Sequence, residues 1–193
     1  MNRSAAGALI LVVGASGAGK DSLIAGARNA LAPAERFSFP RREVTRPADS
    51  GGEPHVEIDE ATFAYRVVAG AYALNWSAHG LCYGIPVVID DHLAMGRHVV
   101  VNVSRGVLDQ ARTRYRRLTV IDVRVPADLL VARLAERGRE TPAEIAGRLA
   151  RAEAFVVSGA DVVTFRNDRP LGEATGKFVR TLEAISRRTD SGR

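Results

Sequence analysis

An apolar run, Ala8-Leu9-Ile10-Leu11-Val12-Val13, passes directly into Gly14-Ala15-Ser16-Gly17-Ala18-Gly19-Lys20, and no other stretch restricts the fold so strongly. A short continuous apolar run bounded by glycine reads as a strand buried on both faces. From Lys20 to Leu31, the residues Leu23, Ile24, Ala27 and Leu31 recur at helical spacing. Gly-x4-Gly-Lys between a strand and a helix is the context of a P-loop. Its glycines let successive backbone N–H groups turn inward around a phosphate, and the helix N-terminus adds a favourable partial charge. Lys20 is expected to reach the terminal phosphates. Residues Gly14, Ala15, Ser16, Gly17, Ala18, Gly19, Lys20, Asp21 and Ser22 are thus the expected nucleotide contacts, with ATP as the donor. The bland alternative is a glycine-rich strand-to-helix turn with no ligand.

The strict motif continues with Ser or Thr, whose hydroxyl sits on Mg2+. Here Asp21 follows Lys20, and Ser22 comes one later. The apolar run around Val99–Val101 ends in Asn102, where many P-loop proteins carry an acidic metal partner. Two readings stand: Asp21 holds Mg2+ directly or through water, or it caps the helix, since acids favour the first turn.

Strand and helix patterns alternate along the rest of the chain. Strands are expected at Arg97–Val103, Leu118–Val125 and Asp161–Phe165. Helices are expected at Thr62–Ala69, Pro126–Glu136 (with Pro at its start and Gly138 as its stop) and Leu171–Ser186. Thr141-Pro142-Ala143-Glu144 has capping-box spacing, and Arg187–Arg193 reads as a frayed tail. The pattern implies an α/β fold, a parallel sheet flanked by helices. Residues 34–95, rich in Pro, Gly and charge, break the alternation. They are expected to form a lobe inserted into a core made of 1–33 and 96–193.

The chain has 193 residues, 46% hydrophobic and 25% charged, which suits a soluble globular protein and excludes bulk disorder. Its single cysteine, Cys82, excludes an internal disulfide and argues against a Cys-based zinc site. No apolar run approaches the ~20 residues of a membrane helix. Arg3 before an apolar stretch and Ala15-Ser16-Gly17-Ala18 resembles a short secretory signal. Cleavage there would destroy the glycine loop, so a cytoplasmic protein without membrane contact is expected.

The net charge of +5 is uneven: residues 1–96 hold 8 basic and 10 acidic residues, and residues 97–193 hold 19 and 12. All but Lys20 and Lys177 of the basic residues are arginines, which grip phosphate bidentately. Aromatic content is only 6% and is not interleaved with arginine, so nucleic acid is not the expected partner. Arg41, Arg42, Thr45 and Arg46 suit a phosphate on a second substrate, or are solvated surface. Arg133, Arg137 and Arg139 surround Gly138, with Arg148 and Arg151 beyond. Dense arginine around a glycine between two helices suits a lid, at about 136–148, closing over transferring phosphates. Surface pairing with Glu136, Glu140 and Glu144 is the alternative.

Gly14–Lys20, Thr45-Arg46-Pro47, Tyr83-Gly84, Arg137-Gly138-Arg139, Arg148-Leu149 and Asn167-Asp168 occur in the order seen in guanylate kinases, which the chain resembles from about 8 to 185. Departures accompany the matches. His55 stands near a phosphate-contacting tyrosine, Asn75 precedes Trp76 where a glutamate reads guanine, Ile85 follows Gly84, and no acid lies in Asn102–Ser104. A lobe without base-reading groups should not select guanine. The runs Gly19-Lys20-Asp21-Ser22, Glu53 with His55, Trp76–Gly84, Asn102 with Ser104-Arg105, and Arg137–Glu140 more closely resemble the ribose 1,5-bisphosphate phosphokinases of phosphonate utilisation. That resemblance implies transfer of a phosphoryl group from ATP, with Mg2+, to a phosphorylated ribose. It implies Lys20, Arg137, Arg139 and Arg148 as catalytic, and Arg133, Asn167 and Asp168 on the nucleotide. Arg42, Thr45, Arg46, His55, His79, Tyr83, Asn102 and Arg105 would hold the acceptor, and Asp21 the metal. His55 and His79 have the competing reading of structural or surface residues. Guanylate kinase and a non-catalytic binding module remain as rivals, and a homodimer is left open.

Overall fold

The computed structural model describes residues 6–48, 53–136, 141, 146, 147, 149 and 156–191. Strand β1 (Leu9–Gly14) lies in the middle of a parallel five-stranded sheet. Its neighbours are β7 (His98–Asn102) and β8 (Leu118–Arg124), with β2 (Phe37–Ser38) and β9 (Val162–Arg166) at the edges, in the order β2-β7-β1-β8-β9. Residues Leu9 to Val13 are all fully buried, because both faces of the sheet are covered. On one face, α1 (Lys20–Leu31) packs with α6 (Leu171–Ser191), joining Leu23, Ile24, Ala27, Phe178, Leu182 and Ile185 to Ile10 and Val12. On the other, α3 (Ile89–Ala94) and α4 (Leu108–Arg114) bring Ile89, Leu93, Leu108 and Ala111 against Leu9, Leu11 and Val13. The expected α/β architecture is present, and α5 (Ala127–Glu136) follows β8.

Helix α6 runs five residues beyond the expected end at Ser186 and takes in most of the tail expected to fray. Arg36 holds it in place, donating to Ser186 Oγ at 2.8 Å and pairing with Asp190. The helix expected at Thr62 begins earlier, as α2 (Glu60–Val68), because Asp59 caps it by accepting the Thr62 N–H at 2.8 Å.

A second sheet, ordered β4-β3-β6-β5, rises from the 34–95 segment. It comprises β3 (Glu43–Val44), β4 (Val56–Glu57), β5 (Tyr72–Ala78) and β6 (Leu81–Pro86). Strands β5 and β6 form a hairpin closed by His79 and Gly80, both at positive φ (54° and 73°), which suits the twist of a two-residue turn. Gly84 is required in β6, because a Cβ there would lie 2.3 Å from the Tyr72 ring. The second sheet spans residues 43–86, while Phe37–Ser38 pair with the core sheet.

Candidate functional site

The site begins where β1 meets α1. Gly19 adopts φ 83°, and a Cβ on it would stand 2.6 Å from Asn167 Nδ2. Asn167 is buried; its Nδ2 donates to the Ala18 carbonyl at 2.8 Å and its backbone N–H to Arg124 at 2.8 Å. It therefore braces the glycine loop from behind. Lys20 folds back over that loop, donating to the carbonyls of Gly14 and Ala15, each at 2.9 Å. Burial of its ammonium lowers its pKa from 10.5 to about 8; the charge of Asp21 opposes this, and Arg42 and Arg105 add to it.

Asp21 is the acid in the first turn of α1. Its Oδ1 accepts from Asn102 Nδ2 at 2.6 Å, across from the end of β7. The same Nδ2 reaches Glu53 Oε2 at 3.3 Å, and Glu53 pairs with Arg42 at 2.5 Å. Four residues from four separate segments thus form one chain of contacts, Asp21–Asn102–Glu53–Arg42, beside Lys20. Burial raises the Glu53 pKa and the charge of Asp21 adds to that, while Arg42 and Asn102 oppose it. The Asp21 carboxylate and the side-chain oxygen of Asn102 are hard oxygen ligands of the kind that suits a divalent cation.

The Arg42 guanidinium lies over the Tyr83 ring at 5.4 Å, and Tyr83 stacks on Trp76 at 5.2 Å and 4°. Trp76 and Tyr83 are directly opposed in the β5–β6 hairpin, which sets the stack. Thr45 Oγ1 accepts the Cys82 N–H at 2.8 Å, so this hydroxyl joins β3 to β6. His55 is buried, with Nδ1 3.0 Å from the Glu53 carbonyl and 3.3 Å from Arg46, and Nε2 3.0 Å from the Arg46 carbonyl. Both ring nitrogens tie Arg46 to the loop bearing Glu53, which is a positioning geometry. His79 sits exposed at the hairpin tip, where its backbone makes the turn. Arg41 is exposed.

Arg105, just after β7, lies 3.9 Å from buried Asp122, which also accepts from Arg124 Nε at 2.8 Å. Arg105 and Arg124 line a cavity of about 320 Å3 with Ala15, Ala18 and Leu130. On the other side of the loop, Gly17, Gly19, Ser22, Arg133 and Asn167 line a cavity of about 500 Å3. Arg133 keeps one buried terminal nitrogen without a hydrogen bond among the described residues. Asp168 pairs with Arg166 at 2.6 Å. Arg137, Arg139, Arg148, Arg151 and the capping-box residues 142–144 lie outside the described residues. Glu53 is the addition that the structure makes to the expected set. In the sequence it stands out only beside His55 in the family resemblance, without an assigned role, and its pairing with Arg42 and Asn102 is tertiary.

No protein-family model matches the chain. A guanylate kinase from Anaplasma phagocytophilum superposes with a TM-score of 0.65 at 19% identity, over 95% of this chain and 87% of that one. Fold and phosphate loop together define a P-loop protein of guanylate-kinase architecture. Two relatives narrow this. One from Brucella melitensis biotype 2, named ribose 1,5-bisphosphate phosphokinase PhnN, is 44% identical over 183 residues, 95% of each chain. One of the same name from Desulfomicrobium baculatum is 46% identical over 165 residues, covering 86% of this chain and 88% of that one. The chain belongs to the ribose 1,5-bisphosphate phosphokinase PhnN family. No helix among the described residues is long and apolar enough to cross a membrane.

Proposed function

We propose that the protein transfers the γ-phosphoryl group of ATP to the 1-phosphate of ribose 1,5-bisphosphate, giving ADP and 5-phosphoribosyl 1-diphosphate, in the cytoplasmic use of phosphonates. The observation that carries the reading is Arg42, laid over Tyr83 and within electrostatic reach of Lys20. It offers a fixed cation for an acceptor phosphate beside the lysine of the glycine loop.

An oxygen of the 1-phosphate attacks the γ-phosphorus, and the bond from that phosphorus to the β–γ bridging oxygen breaks. The attacking oxygen is already anionic, so no general base is needed. Catalysis is alignment and charge neutralisation. Lys20 leaves its loop carbonyls for the terminal phosphates, and the loop N–H groups hold the rest of the triphosphate. The nucleotide end lies in this reading against Arg133, Asn167 and Asp168. Arg42, Arg46 and Arg105 grip the acceptor's two phosphates, with Thr45, His55 and Tyr83 holding the frame. Arg137, Arg139 and Arg148 are assigned to a lid that closes over the phosphoryl group and excludes water. Mg2+, held by Asp21 with Asn102, would supply charge neutralisation on the phosphate oxygens.

The test is product analysis by 31P NMR with Mg-ATP and, separately, ribose 1,5-bisphosphate or GMP. A new diphosphate on the ribose, with silence on GMP, is the expected result. GDP as the main product would overturn the reading.

A further inference from the structure

We propose that Glu53 reads the acceptor's sugar, its carboxylate accepting the hydroxyl that neighbours the reacting phosphate. The inference deepens the reading above and rests on it. A site that handles four or more phosphate groups gains from donors and cations, and Lys20, Arg42, Arg46 and Arg105 supply them. A buried carboxylate among them works against phosphate binding. Yet Glu53 is 9% exposed and is fixed by Arg42 at 2.5 Å and Asn102 at 3.3 Å. Both of these contacts arrive at Oε2. Among the described residues no hydrogen bond reaches Oε1, so that oxygen keeps its lone pairs for a donor.

Phosphates are acceptors, whereas sugar hydroxyls donate as well and need an acceptor once desolvated. The carboxylates in the Lys20 cluster are Asp21 and Glu53. Asp21 stands at the start of α1, at the phosphate end, where the reading above gives it Mg2+. Glu53 stands on the acceptor-lobe side, held to Arg42, and its charge is felt at the Lys20 ammonium. A group so close to the transferring phosphates meets the hydroxyl one carbon from the acceptor phosphate, the 2-hydroxyl of ribose 1,5-bisphosphate. Glu53 thus sets specificity for ribose over 2-deoxyribose.

The experiment compares ribose 1,5-bisphosphate with 2-deoxyribose 1,5-bisphosphate. One arm measures kcat/KM, and the other measures binding without ATP through the fluorescence of Trp76. Trp76 is the only tryptophan in the chain and stacks on the Tyr83 that carries Arg42. The wild type should favour the ribose form about 10- to 100-fold, the range of one charge-assisted hydrogen bond. In Glu53→Gln, which keeps a neutral acceptor, that ratio should fall about tenfold, and in Glu53→Ala it should approach about one. Release of Arg42 weakens both sugars alike and drops out of the ratio. A purely structural Glu53 would therefore lower both arms and leave the ratio unchanged, and that result overturns the proposal. So does a wild type that does not discriminate, which needs no variant to observe. A wild type that turns over neither sugar overturns the proposed reaction itself, and the inference with it.

Discussion

Replacing Lys20 by methionine should make the ligand-free protein more stable while abolishing transfer. The pKa of this ammonium falls from 10.5 to about 8 on folding. At pH 7 it is charged in both states, so the folded state carries the full penalty of burying it. A shift of about 2.5 units corresponds to a ceiling of about 3.4 kcal/mol at about 1.36 kcal/mol per unit. The methionine gives up two hydrogen bonds to the carbonyls of Gly14 and Ala15, and water can take those carbonyls over. The net gain should be about 1–2 kcal/mol, a rise in Tm of about 2–8 °C for a chain of this size. The sign can be checked through pH. Above about 8 the folded lysine loses its proton while the unfolded one keeps it up to about 10.5, so wild-type stability rises across that window. The advantage of Lys20→Met should therefore shrink from pH 8 to pH 10.5. Urea denaturation of both proteins at pH 7, 8, 9 and 10 measures it. A destabilised variant, or an offset that stays constant across pH, would refute the reasoning. Burial of a charge that its carboxylate neighbours only partly offset, at a cost to the fold, is the pattern expected of a ligand-binding group.

Two further outcomes follow from the same structure. Asn167→Ala removes the 2.8 Å brace on the Ala18 carbonyl and should cost about 1–2 kcal/mol of stability, with a several-fold weaker grip on ATP; an ATP titration with unchanged affinity would show that the loop keeps its shape unaided. His98 is buried, accepts the Ala8 N–H on Nδ1 at 3.1 Å, and faces Asp190, Arg36 and Arg117. Burial lowers its pKa, and Arg36 and Arg117 add to this against Asp190. Its contribution is therefore complete above the unfolded value of about 6.5 and is lost as pH falls through the folded value. His98→Asn should flatten the pH dependence of unfolding below about pH 6.5; an unchanged slope would assign that dependence elsewhere.

What could be read from the sequence is what lies contiguous in it. The strand from Leu9, the loop and the helix to Leu31 are adjacent along the chain, and each carries its own local signal, so fold class and nucleotide end follow from about two dozen residues. Strands β2, β3 and β4 have two residues each, too few for any periodicity, and exist only because distant partners hold them. The α6 extension depends on Arg36, some 150 residues away.

The histidines show the limit most clearly. His55 was legible as part of the acceptor side, yet both its nitrogens are spent on the chain, and His79 owes its place to a turn. Residue type suggests what a side chain can do, but a neighbouring carbonyl decides whether it is free to do it. The same logic separates Arg42 from Arg41. They are adjacent in sequence, but only Arg42 meets Glu53 and Tyr83, so only one of two equivalent-looking cations is held within a site. For a reaction that depends on placing charge rather than on a nucleophile, that difference in fixation makes Arg42, and not Arg41, the candidate to hold a phosphate.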